Sequence, residues 1–263
     1  LPWRKLRHIK AQTPDRFEVL YQQSDVNPAA VLVDPLWVSG GVGKDGVDYV
    51  GCWDNDRDLW QIPQGVSGEL FVVATADPSP ANYWAIQCWA YNPETQFRYL
   101  LESYRRKMDA PSFLDWNHNE QQFTGIAEEW WQITNDMGRP ITHWIIEANA
   151  AQKFILQYDH FKRWAAMRGV ELVPHYTHSR NKGDPKYGVQ MLAPLWRVGR
   201  VRLPGKQRTE ARPHSLLLVN EVTRWNAEGT GARTDDCVMA QWFLEHNLEK
   251  LFVPKAAGVK QWR

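Results

Sequence analysis

The sequence predicts an α/β fold in which a mixed β-sheet is covered by helices. Apolar and aromatic segments separated by a tight turn come first, over residues 70–104. Segments of this kind form antiparallel strands linked as a hairpin. After residue 120, helix-like and strand-like segments alternate as far as residue 251, and this alternation is typical of crossover units between parallel strands. We therefore expect one sheet that contains both kinds of strand pair.

The three leading strands are predicted over residues 70–76, 83–91 and 97–104. The first is a short apolar run, as expected of a buried strand. The other two are rich in aromatic residues and partly alternate between apolar and polar positions. The sequence NPET between them supplies the turn of a hairpin.

The later elements follow from apolar periodicity and from glycine or proline at their ends. Helices are predicted over residues 120–137, 150–167, 187–195, 215–225 and 235–251, and strands over residues 143–147, 172–176 and 199–203. A ribonuclease H-like sheet has this order of elements. In such a sheet the active site lies at the carboxyl ends of adjacent central strands.

Residues 1–66 are predicted to form an irregular lead segment with one short helix over residues 14–23, and residues 67–263 the ribonuclease H-like domain. The 263 residues are 43% hydrophobic, which suffices for one large domain. Most of the 15 tryptophans are expected in the core. No apolar run is long enough to span a membrane. The three cysteines are far apart, which favours a reducing, intracellular setting over a disulfide framework.

Four acidic residues stand at the ends of predicted elements. Asp77 ends the first strand, Glu147 ends the fourth, and Asp235 and Asp236 open the last helix. In this sheet order the first and fourth strands are neighbours and the last helix begins across their ends, so the four acidic side chains are expected to lie close together. Clustered carboxylates raise one another's pKa unless a cation intervenes, and oxygen-rich sites suit Mg²⁺ or Mn²⁺.

Each acid also has an ordinary structural interpretation. Asp77 precedes a proline and is suited to a turn. Glu147 is suited to capping the following helix, although Asn149 is better placed for that role. Asp235 and Asp236 are favoured at a helix N-terminus by capping and by the helix dipole. The metal site is therefore predicted from the four acids jointly.

A basic stretch covers residues 162–212, with 12 Lys or Arg residues against 3 acidic residues, in a chain of net charge +1. Such a stretch suits a polyanion such as nucleic acid. The alternative is a solvated basic surface.

The sequence resembles the nuclease domain of the large terminase subunit, the DNA-packaging motor protein of tailed bacteriophages. The resemblance covers most of the chain, although its motifs are short. They are ATADPS around Asp77, WIIEANA around Glu147, the loop SRNKGDPKYG with APLWRVGRVRLPG after it, and TDDCVMAQW around Asp236. The segment FEVLYQQSDVNPAAVLVDPLWV is similar to the stretch that joins the family's ATPase and nuclease domains.

The resemblance implies a ribonuclease H-like, metal-dependent endonuclease that cuts concatemeric double-stranded viral DNA during packaging. Asp77, Glu147 and Asp236 would hold two Mg²⁺ or Mn²⁺ ions, with Asp235 as the competing third acid. The residues implied to approach DNA are basic: Arg180, Lys182, Lys186, Arg197, Arg200 and Arg202. The implied partners are the portal protein and the small terminase subunit, in the host cell cytoplasm and with no membrane contact.

The sequence departs from the family pattern at three positions. Many relatives carry a further acid near Asn82, an acid where Met239 stands, and a histidine where Thr234 stands. There is no G-x-x-x-x-G-K-[ST] motif, so no ATPase activity is expected and the chain is expected to be the nuclease part of a longer motor protein.

Two other functions compete. One is another ribonuclease H-like enzyme, such as a resolvase or a transposase core, with similar acids and different DNA. The other is a noncatalytic DNA-binding or docking module of the packaging machine, which needs the basic stretch and not the acids. A Ser-His-Asp hydrolase is disfavoured because no G-x-S-x-G motif is present.

Overall fold

The computed structural model describes residues 31–79, 83–149, 153–184, 186–226 and 234–252. The helix predicted over residues 14–23 lies outside this part of the chain. Eleven strands are present in the described ranges: β1 (Gly41–Val42), β2 (Asp48–Tyr49), β3 (Trp53–Asp54), β4 (Phe71–Asp77), β5 (Tyr83–Asn92), β6 (Phe97–Lys107), β7 (Asp115–Asn117), β8 (Gln122–Thr124), β9 (Ile141–Glu147), β10 (Glu171–His175) and β11 (Val201–Pro204).

The helices cover the sheet that these strands form. They are α1 (Pro35–Ser39), α2 (Ala110–Phe113), α3 (Ile126–Asp136), α4 (Lys153–Gln157), α5 (Asp159–Arg168), α6 (Ser179–Lys182), α7 (Leu192–Arg197), α8 (Ala211–Val222) and α9 (Asp236–Phe252), with a 3₁₀ turn at Val189–Met191.

Seven strands form one mixed sheet in the order β10-β9-β4-β5-β6-β11-β3. Strand β5 is antiparallel to both β4 and β6. Strands β9 and β10 run parallel to β4 on its other side. Three meandering strands followed by two parallel crossover strands give the ribonuclease H-like arrangement, so the predicted fold class is confirmed. The carboxyl ends of β4, β9 and β10 consequently meet at one edge, where a site can form.

The two faces of the sheet carry separate hydrophobic cores, because successive strand residues point to opposite faces. Helices α7, α8 and α9 pack on the face that includes Val73, Trp89 and Leu100. Helices α3 and α5 pack on the face that includes Val72 and Leu101. Seven tryptophans are fully buried in these cores, namely Trp84, Trp89, Trp130, Trp144, Trp164, Trp196 and Trp242.

The prediction of a helix over residues 120–137 is wrong at the start of the helix. Residues 122–124 form β8, which pairs with β7 as a short hairpin. Gly125 then adopts a φ of 102°, and the helix begins at Ile126. The turn of the hairpin is closed by the Asn117 side chain, which accepts hydrogen bonds from the backbone of Asn119 and Glu120. Asparagine in this role competes with helix formation.

The helix predicted over residues 150–167 is interrupted. Tyr158 has extended backbone angles between α4 and α5, and its hydroxyl donates to Asp115 at 3.2 Å. The segment predicted as helical over residues 187–195 divides into the 3₁₀ turn and α7. None of these differences moves the strand ends that carry the acids.

The described part of the lead segment packs against the sheet. Strand β3 pairs with β11 at the sheet edge, and Leu32, Val33 and Val38 join the core under α8 and α9. The domain division at residue 66 stays a prediction. Within the described ranges, no helix combines the length and apolar character that crossing a membrane requires.

Candidate active site

The carboxyl edge of the sheet brings Asp77 and Glu147 together. Ala76 of β4 pairs with Ile146 of β9 in parallel register, and each acid is the next residue and the last of its strand. Their side chains therefore lie on the same face of adjacent strands, which are about 5 Å apart. This face is the one that α9 covers.

Glu147 is almost fully buried, with 7% of its surface exposed. The Asn149 side-chain amide donates to Glu147 Oε1 at 3.0 Å and to the Thr177 carbonyl at 2.7 Å, and its carbonyl oxygen accepts from the Thr177 backbone at 3.1 Å. Asn149 thus ties the ends of β9 and β10 together and orients the glutamate. The sequence suggested a helix-capping role for Asn149. In the structure its side chain hydrogen-bonds to Glu147 and Thr177.

The other two acids arrive with α9. Asp236 is its first residue and Asp235 immediately precedes it. The helix start is fixed by Glu221 of α8, whose Oε2 accepts hydrogen bonds from the backbone N–H groups of Cys237 at 2.7 Å and Val238 at 3.3 Å. The first N–H groups of a helix have no acceptor within the helix, and Glu221 supplies one from outside it.

The four acids interact electrostatically. Burial and then the neighbouring Glu147, through its charge and a hydrogen bond, raise the pKa of Asp77 well above its ordinary value, with smaller contributions from Asp236 and Asp235. Ionising Asp77 beside these carboxylates is therefore unfavourable without added positive charge. Carboxylate oxygens are the donors that Mg²⁺ and Mn²⁺ prefer, so the chemical type of these side chains suits such an ion.

Two side-chain cations contact the acids. Arg105 Nε lies 2.9 Å from Asp236 Oδ2 and 3.3 Å from Glu221 Oε1, and Lys182 Nζ lies 2.6 Å from Asp235 Oδ2. Asp236 and Asp235 are thereby drawn towards these cations. Among the residues that the structure describes, no group of three or more His, Cys, Asp or Glu side chains is arranged to hold a metal ion.

The basic residues predicted to approach DNA fall into two groups. Lys182 contacts the acids, and Arg180 and Lys186 are exposed in the same segment after β10. The other three lie at the opposite end of the sheet, where β11 begins beside the start of β6. There Arg197 lies over Trp37, Arg200 donates to the Thr95 carbonyl, and Arg202 pairs with Asp54. Arg202 lies opposite Tyr99, six residues along β6 from Arg105, or about 20 Å.

Two residues of the site were not predicted from the sequence. Arg105 reaches the acids because Asp77, Ala85 and Arg105 pair in one row across β4, β5 and β6. The sequence did contain a signal for Arg105. A basic residue at the end of the third strand lies at the same edge of the sheet as the acid that ends the first strand. Glu221 is an acid within the apolar run LLLVNEV, and only 7% of its surface is exposed. A buried acid of this kind needs a partner.

No protein-family model and no curated protein sequence matches the chain. The solved structures that it resembles include nuclease domains of bacteriophage large terminases. That of P22 is 14% identical, with a TM-score of 0.42, over 75% of this chain and 92% of that one. That of gp2 from bacterial virus Sf6 is 9% identical, with a TM-score of 0.43, over 82% and 98%; another Sf6 structure contains manganese and β-thujaplicinol.

The large terminase of a thermophilic bacteriophage is 11% identical, with a TM-score of 0.40, over 75% of this chain. The chain spans 43% of the length of that protein. The fold assignment rests on the strand order and orientation of this chain itself.

Proposed function

We propose that this chain is a metal-dependent DNA endonuclease, the nuclease part of a large terminase that cuts concatemeric double-stranded viral DNA during genome packaging. The observation that carries the proposal is the convergence of Asp77, Glu147 and Asp236 at the carboxyl edge of a ribonuclease H-like sheet. Lys182, which contacts Asp235, and the exposed Arg180 and Lys186 of the same segment support a polyanionic substrate, because cations are needed to bring phosphates near carboxylates.

The carboxylates of Asp77, Glu147 and Asp236 would hold the divalent ions, with Asp235 as the alternative third ligand. Two Mg²⁺ or Mn²⁺ ions would supply Lewis-acid chemistry for phosphodiester hydrolysis. Within the protein, Asn149 orients Glu147, and Glu221 fixes the start of α9 that carries both aspartates. Lys182 would exchange its contact with Asp235 for a phosphate oxygen of the DNA.

The wider setting follows from the terminase resemblance and is part of the same proposal. The nuclease would act in the host cell cytoplasm beside an ATPase that drives translocation. The portal protein and the small terminase subunit would be its partners through the complete motor.

Plasmid cleavage tests the proposal. The wild-type chain is incubated with supercoiled plasmid and Mn²⁺, Mg²⁺ or EDTA, beside Asp77→Ala and the control Asp159→Ala, whose side chain is 94% exposed on α5. We expect nicking and linearisation by the wild type and the control only with a divalent ion, and none by Asp77→Ala. Wild-type cleavage by Asp77→Ala would refute the assignment. Asp235→Ala and Asp236→Ala then identify the third acid by which variant loses cutting.

One observation favours a second function, the noncatalytic DNA-binding module. Asp236 pairs with Arg105 and Asp235 pairs with Lys182. Both aspartates therefore already have a positively charged partner, and a docking module needs no metal ion beside them. Thermal melting during a Mn²⁺ titration separates the two functions. A nuclease site that binds the ion melts at a higher temperature as Mn²⁺ is added, whereas the docking module shows no such shift at Mn²⁺ concentrations that support nucleases.

A further inference from the structure

The acid cluster has a second basic neighbour at the carboxyl end of β6. The strand ends in Tyr104-Arg105-Arg106-Lys107, and Tyr83, the first residue of β5, pairs with Lys107. Tyr83 is 41% exposed. The Arg105 guanidinium lies 4.5 Å and the Lys107 ammonium 5.8 Å from its centre.

This strand end lies on the side of the acids away from Lys182. The sheet order places β4 and β9 between β10 and the β5–β6 hairpin. The ends of β10 and β6 are four strand spacings apart, or about 19 Å. The four acids are thus flanked by basic residues on both sides along the edge of the sheet.

The basic residues at the end of β6 lie on different faces of the strand, and the face decides which of them can contact a ligand bound at the acids. Arg105 pairs with Asp236, so it faces α9 and the acids. Lys107 is two residues further on and therefore faces the same side. Arg106 faces the other side, where its guanidinium lies 4.7 Å from the centre of the Tyr104 ring. Lys107 and Arg106 are adjacent, exposed and of the same charge, yet only Lys107 faces the acids.

Lys107 is also available to a ligand. Arg105 is occupied by Asp236 and Glu221. Lys107 forms no ion pair within the described ranges, and its ammonium is supported by the exposed Tyr83 ring. A phosphate backbone that approaches four carboxylates is repelled unless cations lie along its path. On the β10 side Lys182 meets this need, and on the β6 side Lys107 is a cation that faces the acids and has no ion pair within the described ranges.

We propose that Lys107, supported by Tyr83, is a second contact for the phosphate backbone of double-stranded DNA, across the acids from Lys182. The identity of the ligand as DNA rests on the proposed function. The contact itself is defined by the pairing of Tyr83 with Lys107 across β5 and β6, two residues beyond the row of Asp77, Ala85 and Arg105.

The test measures binding without cutting. Fluorescence anisotropy of a labelled DNA duplex is followed in EDTA over a series of salt concentrations, for wild type, Lys107→Ala and the matched control Arg106→Ala. One phosphate contact contributes a slope of about 0.9 in log affinity against log salt. Lys107→Ala should lower the slope by about 0.9 and weaken binding about eightfold at 0.1 M salt. Arg106→Ala should leave both unchanged.

The outcomes separate this inference from the proposed function. Equal affinity and slope for the two variants would overturn the Lys107 contact even if the wild type binds DNA and cuts plasmid. A wild type that binds no duplex would overturn both. Equal losses in both variants would show a nonspecific charge effect and would also overturn the contact. Tyr83→Ala should lower the affinity in the same direction as Lys107→Ala, because the ring no longer supports the ammonium.

Discussion

Lys182 Nζ lies 2.6 Å from Asp235 Oδ2, and both side chains are more than one-third exposed, at 36% and 39%. An exposed pair of this kind contributes at most about 1 kcal/mol to the free energy of unfolding. The ion pair therefore holds the lysine beside Asp235 but contributes little to the stability of the fold. The pair can be exchanged for a contact between Lys182 and phosphate at small cost.

Lys182→Ala should accordingly weaken plasmid cutting and lower the salt slope of DNA binding by about 1, while the free energy of unfolding changes by less than about 1 kcal/mol. The control is Lys162→Ala, which removes a lysine paired with Asp159 at 3.7 Å on α5. Anisotropy over a salt series and urea unfolding measure the two quantities. An unchanged slope would count against the phosphate contact.

A second prediction concerns Asp77 and pH. The pKa of Asp77 is raised in the folded protein, so the folded state binds more protons than the unfolded state above pH 3.8. Stability therefore falls as the pH rises from about 4 through the raised pKa. Asp77→Asn removes this penalty and should melt at a higher temperature than wild type at pH 8 in EDTA.

The same substitution should abolish stabilisation by metal. At 100 times its dissociation constant, an ion adds about 2.7 kcal/mol, which raises the melting temperature of a chain of this size by roughly 5–10 °C. We expect this shift with Mn²⁺ for the wild type and for the control Asp159→Asn, and no shift for Asp77→Asn. Calorimetric scans measure it, and an equal shift in Asp77→Asn would remove Asp77 from the ligand set.

The strand ends that carry Asp77 and Glu147 were predictable because they depend on local pattern. An apolar run followed by an acid and a turn marks the end of a buried strand without knowledge of its neighbours. The two strands end at those acids in the structure, at Asp77 and Glu147. The convergence of the acids required the strand order as well, and the order of hairpin and crossover connections supplied it.

The remaining parts of the site depend on tertiary pairing. Arg105 meets Asp236 only because Ala85 stands between Asp77 and Arg105 in the register of the sheet, and register is not visible in a single strand. Glu221 caps a helix that begins 15 residues later, through packing of α8 on α9. Local pattern also misplaced the start of α3, because the β7–β8 hairpin and Gly125 override the helical periodicity.

A third prediction concerns His175, which is 3% exposed beneath α9. The Asn247 amide lies 3.0 Å from its Nδ1, and the Phe243 and Trp242 rings pack against it. Burial, with smaller effects of His246, Lys250 and His178, lowers the pKa of His175 to about 3. The unfolded state therefore binds more protons between about pH 3 and 6.5, and stability should fall by about 1.4 kcal/mol per pH unit below 6.5.

His175→Gln should lose this contribution to the pH dependence, whatever its stability at pH 7. The control is His118→Gln, which removes an exposed histidine. Urea unfolding from pH 7 to pH 4 gives the slope for each protein, and the difference between variants isolates the histidine from the carboxyl groups. A slope for His175→Gln equal to that of the control would show that His175 does not titrate as described.

The last prediction concerns Glu221 as a positioning residue. Its Oε2 accepts from the Cys237 and Val238 backbones, and its Oε1 accepts from the Thr234 hydroxyl at 2.9 Å. Glu221→Ala leaves buried N–H groups unpartnered, which costs about 1–3 kcal/mol in the free energy of unfolding. It also releases the start of α9, and a displacement of about 1 Å at a catalytic group can lower a rate on the order of 100-fold.

We therefore expect Glu221→Ala to cut plasmid far more slowly with Mn²⁺, while its affinity for duplex DNA in EDTA stays that of the wild type. Glu221→Gln keeps one acceptor oxygen and should recover part of the rate. Glu210→Ala, which removes an 81% exposed carboxylate beside the start of α8, is the control for charge. A purely structural role predicts that cutting per folded molecule is unchanged in Glu221→Ala at a temperature well below its melting point. That result would show that Asp235 and Asp236 reach the site without the cap that α8 provides.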